Sequence, residues 1–299
     1  MTSSDVKTMM SPEQLRILTQ RSDRKGLVQL ALHGAALAVT TWLLTSTANS
    51  AWFVLALWAH GALLVFLFAP LHESIHRTAF RSRWLNTLVA SACGFLLVLP
   101  SRYFRMFHLE HHRYTRDLQR DPELTQPEAA DWRTYLWQAS GLPYWFERVR
   151  TTIRHANGRV DELFIGESSH AAIVAEARGY LMAYALVVAL SMFMQSSAVF
   201  WYWLLPVFLG QPLLRLYLMA EHGGCPRVSD MLRNSRTTHS NALIRWLAWN
   251  MPYHAEHHRY AAIPFHALPK AHAFLKRHIT VQSRGYLDVH RQLMRSLGR

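Results

Sequence analysis

His254-Ala255-Glu256-His257-His258 repeats the spacing of His108-Leu109-Glu110-His111-His112. On a helix, positions i, i+3 and i+4 share one face, so each run aims three imidazoles the same way. His72-Glu73-Ser74-Ile75-His76 adds an i, i+4 pair, and eight imidazoles can then converge on one place. With 18 His in 299 residues, an HxxxH is expected about once by chance and an HxxHH roughly 0.06 times, whereas two HxxHH runs arise on the order of twice in a thousand such chains. The paired runs carry the argument, and the chemistry they point to is metal binding.

Around these runs the chain separates apolar from charged residues. It is 51% hydrophobic with 11 Trp, yet its mean hydropathy is -0.01. Residues 26–71, 86–101 and 179–214 contain no Asp, Glu, Lys or Arg. The first and third blocks are each long enough for two spans. An all-α integral membrane protein with about four transmembrane helices in two hairpins is expected, the hairpins covering 26–71 and 179–220. The tips at Thr45–Ser50 and Gln195–Ala198 are uncharged while the flanks are rich in Arg, which places both termini and the His clusters on the cytoplasmic side, in a bacterial inner membrane. Trp52, Trp201, Tyr202 and Trp203 suit an outer aromatic belt. Residues 86–101 are too short to span and end in Leu99-Pro100, so a re-entrant helix pair is expected there; a full span would split the His clusters between the two sides. Residues 102–178 and 221–299 then form a cytoplasmic and interfacial helical cap carrying a His-rich di-metal site, all within one domain over 1–299.

Smaller features fill in the picture. Met1 to Lys25 opens with polar Ser3-Ser4-Asp5, lacks the layout of a signal peptide, and starts a helix at Ser11-Pro12. Cys93 and Cys225 stand alone, which argues against a disulfide framework or an iron–sulfur site. The net charge of +13 falls on the inferred cytoplasmic side, where anionic lipid head groups and an acidic protein are better partners than nucleic acid. His222, at the end of the last span, mirrors His72 and His76 and is a ninth candidate ligand. His33 and His60 are expected as packed, hydrogen-bonded contacts between spans. His155 and His170 are expected to be solvated, and His266, His272, His278 and His290 to lie on the surface of a basic amphipathic tail. Tyr144 and Trp145 read as interfacial rings. Asn250, one turn before His254, either holds a ligated water, orients an imidazole or caps the helix. Glu110 and Glu256 point away from the ligand face and suit arginine or outer partners better than metal.

Imidazole suits zinc, copper, iron and nickel. Nine neutral nitrogens are too many for one ion and right for two, and so few carboxylates argue for redox-active iron. HxxxH at the end of a span, HxxHH after a re-entrant segment, one later His and a final HxxHH together resemble the membrane fatty acid desaturase and hydroxylase superfamily. His111-His112-Arg113-Tyr114-Thr115, Asp121-Pro122, and Asn250 through Tyr260 followed by Ile263-Pro264-Phe265 are similar to its desaturase-like members. The resemblance covers about residues 50 to 275. It implies a non-haem di-iron centre held by His72, His76, His108, His111, His112, His222, His254, His257 and His258. It also implies O2 as co-substrate, a lipid or fatty-acyl substrate, and electrons from a separate ferredoxin-like donor. Desaturation is the expected outcome. Hydroxylation shares the same ligands, as His222-Gly223 resembles alkane hydroxylases, and some small members act on polar metabolites. A metal transporter, a haem-binding membrane protein and a zinc hydrolase are the rivals from other classes.

Overall fold

Ser11 closes a capping box with Gln14 and starts α1 (Pro12–Leu18), as the Ser-Pro pair predicts. The computed structural model describes residues 9–125 and 128–297, and the polar Ser3–Asp5 stretch lies outside them. Ser22 accepts from Lys25 N and opens α2 (Asp23–Thr47), which turns back at Ser50 into α3 (Trp52–Val65) and its extension α4 (Phe68–Ile75). Together α3 and α4 make one apolar rod of 24 residues. Two further helices are long and apolar enough to cross a membrane, so the described residues contain four. Leu32, Val39 and Trp42 on α2 and Trp52 and Trp58 on α3 are exposed, which suits contact with lipid rather than water. Between these spans His33 donates from Nε2 to Leu63 O at 2.8 Å. His60 donates from Nε2 to Tyr202 O at 3.0 Å and takes a bond from Thr40 Oγ1 at 2.7 Å. Both are packing contacts, as expected.

The break after residue 96 is the most unusual feature of the backbone. α5 (Arg83–Leu96) and α6 (Ser101–Tyr114) meet at 100°. Pro100 disfavours helix at Leu99, and Val98 takes a left-handed φ of 55° to turn the chain. A helix that stops in apolar surroundings leaves its last carbonyls without partners. Here the turn itself bonds Cys93 O, Gly94 O and Phe95 O, and aromatic side chains reach Leu96 O and Leu97 O and add further bonds along the helix. Tyr180 OH donates to Ser91 O at 3.0 Å, Tyr184 OH to Phe95 O at 2.8 Å, Trp203 Nε1 to Leu96 O at 2.8 Å and Tyr144 OH to Leu97 O at 3.0 Å. At the other side of the break, the Glu176 carboxylate accepts from the N–H groups of Arg102 and Tyr103 and from Ser101 Oγ at 2.9 to 3.3 Å, capping α6. Trp203 and Tyr144 are therefore half-buried anchors of the bend. Tyr184→Phe should cost about 0.5 to 1.5 kcal/mol, the net worth of one hydrogen bond, since Phe95 O keeps its bond from the Val98 N–H. Thermal unfolding in detergent checks this, and an unchanged midpoint would remove the anchoring role.

α7 (Trp132–Ala139) and α8 (Leu142–Ala156) lead to α9 (Glu167–Phe193), which starts well before the charge-free block. Its early charges are accommodated by partners: Glu176 as above, and Arg178, which donates from Nε to Ala156 O at 2.8 Å. After a π-turn at Phe200–Leu204, set by the missing N–H of Pro206, comes α10 (Leu205–His222). The hairpin expected between α9 and α10 is not a packed pair. α10 lies chiefly along α3, and α9 chiefly along α8. The reason is Gly61 and Gly210: a Cβ on either would run into the backbone of the facing helix. His155 is buried rather than solvated, facing Glu162 Oε1 at 3.0 Å, a carboxylate that Arg154 also binds. His170 is half-buried and donates to Ile165 O at 3.2 Å.

The C-terminal portion folds over the ends of these helices as α11 (Met231–Asn234), β1 (Thr237–Thr238), α12 (Ala242–Leu247), α13 (His254–Arg259), α14 (Leu268–Leu275), β2 (Gln282–Ser283) and α15 (Tyr286–Ser296). β1 and β2 pair in parallel, Thr237 with Gln282, and are the strands found among the described residues. Leu232, Ala255, Ile263, Leu268 and Leu275 form the apolar core beneath α13. The tail is thus a packed subassembly with an exposed face. His290 is buried, taking a bond from Tyr135 OH at 2.7 Å and donating from Nε2 to Leu216 O at 2.9 Å. His272 and His266 are half-buried, and His278 is exposed as expected.

Candidate metal centre

Four separate elements bring the nine histidines together. His72 lies on α4 with His76 at its C-cap, His108, His111 and His112 on the last turns of α6, His222 at the end of α10, and His254, His257 and His258 on α13. They divide into two nests. In the first, ring nitrogens of His72, His76, His108, His112 and His257 all lie within 4.8 Å of one another. Nε2 of His108 is 2.7 Å from Nε2 of His72 and 3.0 Å from Nε2 of His112, which is 3.2 Å from Nε2 of His257. The second nest gathers His111, His222 and His258 in the same way. His254 belongs beside it, with Nε2 at 2.9 Å from Nε2 of His222.

In the second nest three of the four rings have a hydrogen-bonded outer partner, and the fourth, His254, faces a carboxylate. His111 Nδ1 donates to Asp121 Oδ1 at 2.9 Å, and His258 Nδ1 to Thr115 Oγ1 at 3.1 Å, which in turn donates to His111 O at 2.7 Å. His222 Nδ1 donates to Asn234 O at 3.1 Å, and His254 Nδ1 faces Glu221 Oε1 at 3.3 Å. With Nδ1 carrying the proton in each ring, Nε2 is left as a lone pair. Lone pairs converging at 2.9 and 3.2 Å fit a cation between them and little else. The first nest has the same inward nitrogens, but Nδ1 of His72, His108 and His257 has no hydrogen-bond partner. Nε2 of His76 and Nε2 of His258 are buried without partners, which again fits ligands of a metal. Burial, then the charge of Arg105, pushes the His76 ring down to about 3. Burial and neighbouring imidazoles hold His254, His257 and His258 well below the usual histidine range. These rings are neutral at physiological pH and free to coordinate.

Residues 49–288, most of the chain, match the fatty acid desaturase family. The chain belongs to that family. It is 26% identical over 273 residues to an sn-1 oleoyl-lipid 12-desaturase of Picosynechococcus sp., a match covering 83% of this chain and 72% of the relative. A protein of the same name from Anabaena variabilis is 28% identical over 131 residues, 40% of this chain and 37% of that one. The long apolar helices and the family together make this chain a membrane protein.

The nine histidines singled out in the sequence lie together, while Asn250, expected to hold a ligated water, orient an imidazole or cap the helix, bonds a backbone carbonyl. Asn250 has a left-handed φ of 57°, and its amide donates to Phe265 O at 3.2 Å, away from the imidazoles. Tyr253, not Asn250, precedes the first turn of α13. Asn250 shapes the turn that delivers α13. Glu110 pairs with Arg113 at 3.2 Å on the surface, while Glu256 is fully buried, accepting from Thr237 Oγ1 at 2.6 Å and facing His272. It ties α13 to β1 and α14. Asp121, Thr115, Asn234 and Glu221 were not recognised from sequence as histidine partners, and Asp121-Pro122 is the one signal that was present. Buried Arg116 steadies this layer by bonding Cys225 O at 2.8 Å beyond the end of α10 and Glu128 at 2.5 Å. Burial alone would raise the Asp121 carboxyl, but its bonds to His111 and to backbone N–H groups bring it below its ordinary value. It is a carboxylate at neutral pH. Asp121→Ala should weaken metal binding in the second nest about 10- to 100-fold, read as loss of metal during dialysis against a chelator; retention equal to wild type would exclude the role.

Proposed function

We propose that this chain is an O2-dependent desaturase that introduces a double bond into the fatty-acyl chain of a lipid. The observation that carries the reading is the pair of all-imidazole nests at the ends of apolar helices, supported by the family and by the names of the two relatives. Two iron ions held by these residues would supply the reduction of O2 and the removal of hydrogen from an unactivated C–H bond. His72, His76, His108, His112 and His257 would hold one, and His111, His222, His254 and His258 the other. The outer partners of His111, His222 and His258 keep Nδ1 protonated there so that Nε2 points inward. An apolar gap beside the centre offers an approach for a hydrocarbon chain. A small cavity of about 10 Å³ touches His72 and is otherwise lined by Phe66, Phe68, Ala69, Tyr217, Ala248 and Met251, where α4 and α10 meet the turn after α12. Movement of these side chains would admit the chain to the centre while excluding water.

The donor of electrons is a separate protein of acidic, ferredoxin-like type, and the centre faces the cytoplasm. Six arginines, Arg113, Arg116, Arg120, Arg148, Arg150 and Arg154, offer a docking surface in the sequence, and the structure engages most of them. Arg116 is buried, Arg148 lies over the Tyr103 ring, and Arg154 is held by Asp161 and Glu162. Arg113 and Arg120 are exposed but paired with Glu110 and Asp117, and Arg150 is exposed with no ion pair among the described residues.

Expression in a bacterial host with analysis of total acyl chains tests the proposal. New double bonds that require O2, with iron near two per chain in the purified protein, are expected. Alcohols in place of alkenes would make it a hydroxylase. Zinc alone, in protein grown with ample iron, would end the di-iron reading. Cysteines at Ser46 and Ser197 should be labelled from outside the cell and one at Ser296 should not; the reverse pattern would overturn the orientation.

A further inference from the structure

We propose that the cavity between α4, α5, α6 and α9 is a binding site for a phosphate group, the head group of an anionic lipid. The cavity is about 460 Å³, open on one side, and none of the nine candidate ligands lines it. Its polar wall holds Arg77, Arg102, Arg105 and Ser74. None of the three arginines takes part in an ion pair among the described residues. Nη1 of Arg105 and Oγ of Ser74 are buried without any hydrogen-bond partner. Glu176, the acid nearest this wall in the chain of contacts, is engaged by the main chain at the start of α6.

Three guanidinium groups on one cavity repel one another, and a buried donor without an acceptor costs about 1 to 3 kcal/mol. A tetrahedral anion offsets both, because a planar guanidinium fork matches its oxygens. The wall also carries apolar Ala90, Met106, Leu109 and Ile173 beside small polar residues such as Thr87 and Ser91, which suits an amphiphile with a phosphate at one end. The cavity also has a suitable depth. Ser74 and Arg77 mark the end of the α3–α4 rod, and Ser169 and Ile173 the start of the α9 rod, the level at which spans leave the hydrocarbon. Its volume lies in the range of small-molecule sites. The inference goes beyond desaturation, since it concerns a head group and not the carbon that reacts.

Purified protein in a neutral detergent is titrated with dioleoylphosphatidylglycerol, with dioleoylglycerol, and with inorganic phosphate, following the melting temperature. Stabilisation by the phospholipid and none by dioleoylglycerol is expected, with apparent affinity falling roughly tenfold in Arg105→Gln. Should that variant fail to fold, the exposed pair Arg77→Gln and Arg102→Gln carries the same expectation. Arg113→Gln, outside the cavity, should bind as wild type. Arginine-dependent binding of inorganic phosphate as well would assign the site to phosphate esters in general; phospholipid binding without it assigns a lipid head group. Equal stabilisation by dioleoylglycerol, or an equal loss in Arg113→Gln, would overturn the proposal.

Discussion

Alanine at His258 should abolish the proposed desaturation and, if the centre holds two iron ions, lower the iron content of the purified protein from about two toward one per chain. His258 is one of four imidazoles in the second nest, and its Nε2 is buried with no other partner. Its loss leaves three, and it also frees Thr115, which joins His258 to the backbone at His111. The matching change in the first nest, His257→Ala, leaves four imidazoles from His72, His76, His108 and His112. That number still holds a first-row ion, so iron should stay closer to two. Activity should nonetheless fall at least about 100-fold in both, the upper end of what outer partners alone contribute. The control has to be His278→Ala, because His278 is exposed, whereas His155 and His290 are buried in hydrogen-bonded contacts whose loss would damage folding. Equal iron contents in the two variants would refute the division into unequal nests. Full activity in either would remove that residue from the centre.

What was legible in sequence was local. An i, i+3, i+4 pattern shows that His108, His111 and His112 share a helix face, and absent charges show where a chain can enter lipid, since both depend on neighbours along the chain. The outer layer was not legible for the opposite reason. Asp121, Thr115, Asn234 and Glu221 are common residue types at no particular spacing, and what makes them partners is the approach of α6, α10, α11 and α13. The same holds for His155 and His290: a lone histidine carries no pattern, and its burial depends on Glu162 in one case and on Tyr135 and Leu216 in the other. Trp203 reads as an aromatic of the outer belt, and nothing in the sequence marks it, or Tyr184, as a donor to the broken end of α5. Pro100 announced the break, but not which residues would satisfy it.

Gly210→Val should do as much damage as removing a ligand, although Gly210 lies three turns from His222. A Cβ at Gly210 would collide with the carbonyl group of Gly61, and one at Gly61 would meet the Pro206 carbonyl at 2.5 Å. These are backbone contacts, so no side-chain rotation relieves them, and α3 and α10 must separate. Overpacking of this kind costs about 1 to 3 kcal/mol where side chains can adjust, and a rigid pair of helices lies at or above the top of that range. α3 continues into the helix that carries His72 and ends at His76, and α10 carries His222, so their separation pulls the two nests apart. Desaturation should be lost, iron should fall, and the melting temperature should drop by several degrees, with Gly210→Ala intermediate. Gly34 on α2 is the comparison, since nothing lies within 4 Å of a Cβ built there. Gly34→Val should leave stability, iron and activity near wild type, because it adds a side chain on the lipid-facing surface. If Gly210→Val behaved like Gly34→Val, the close approach of α3 and α10 would not be what positions the centre.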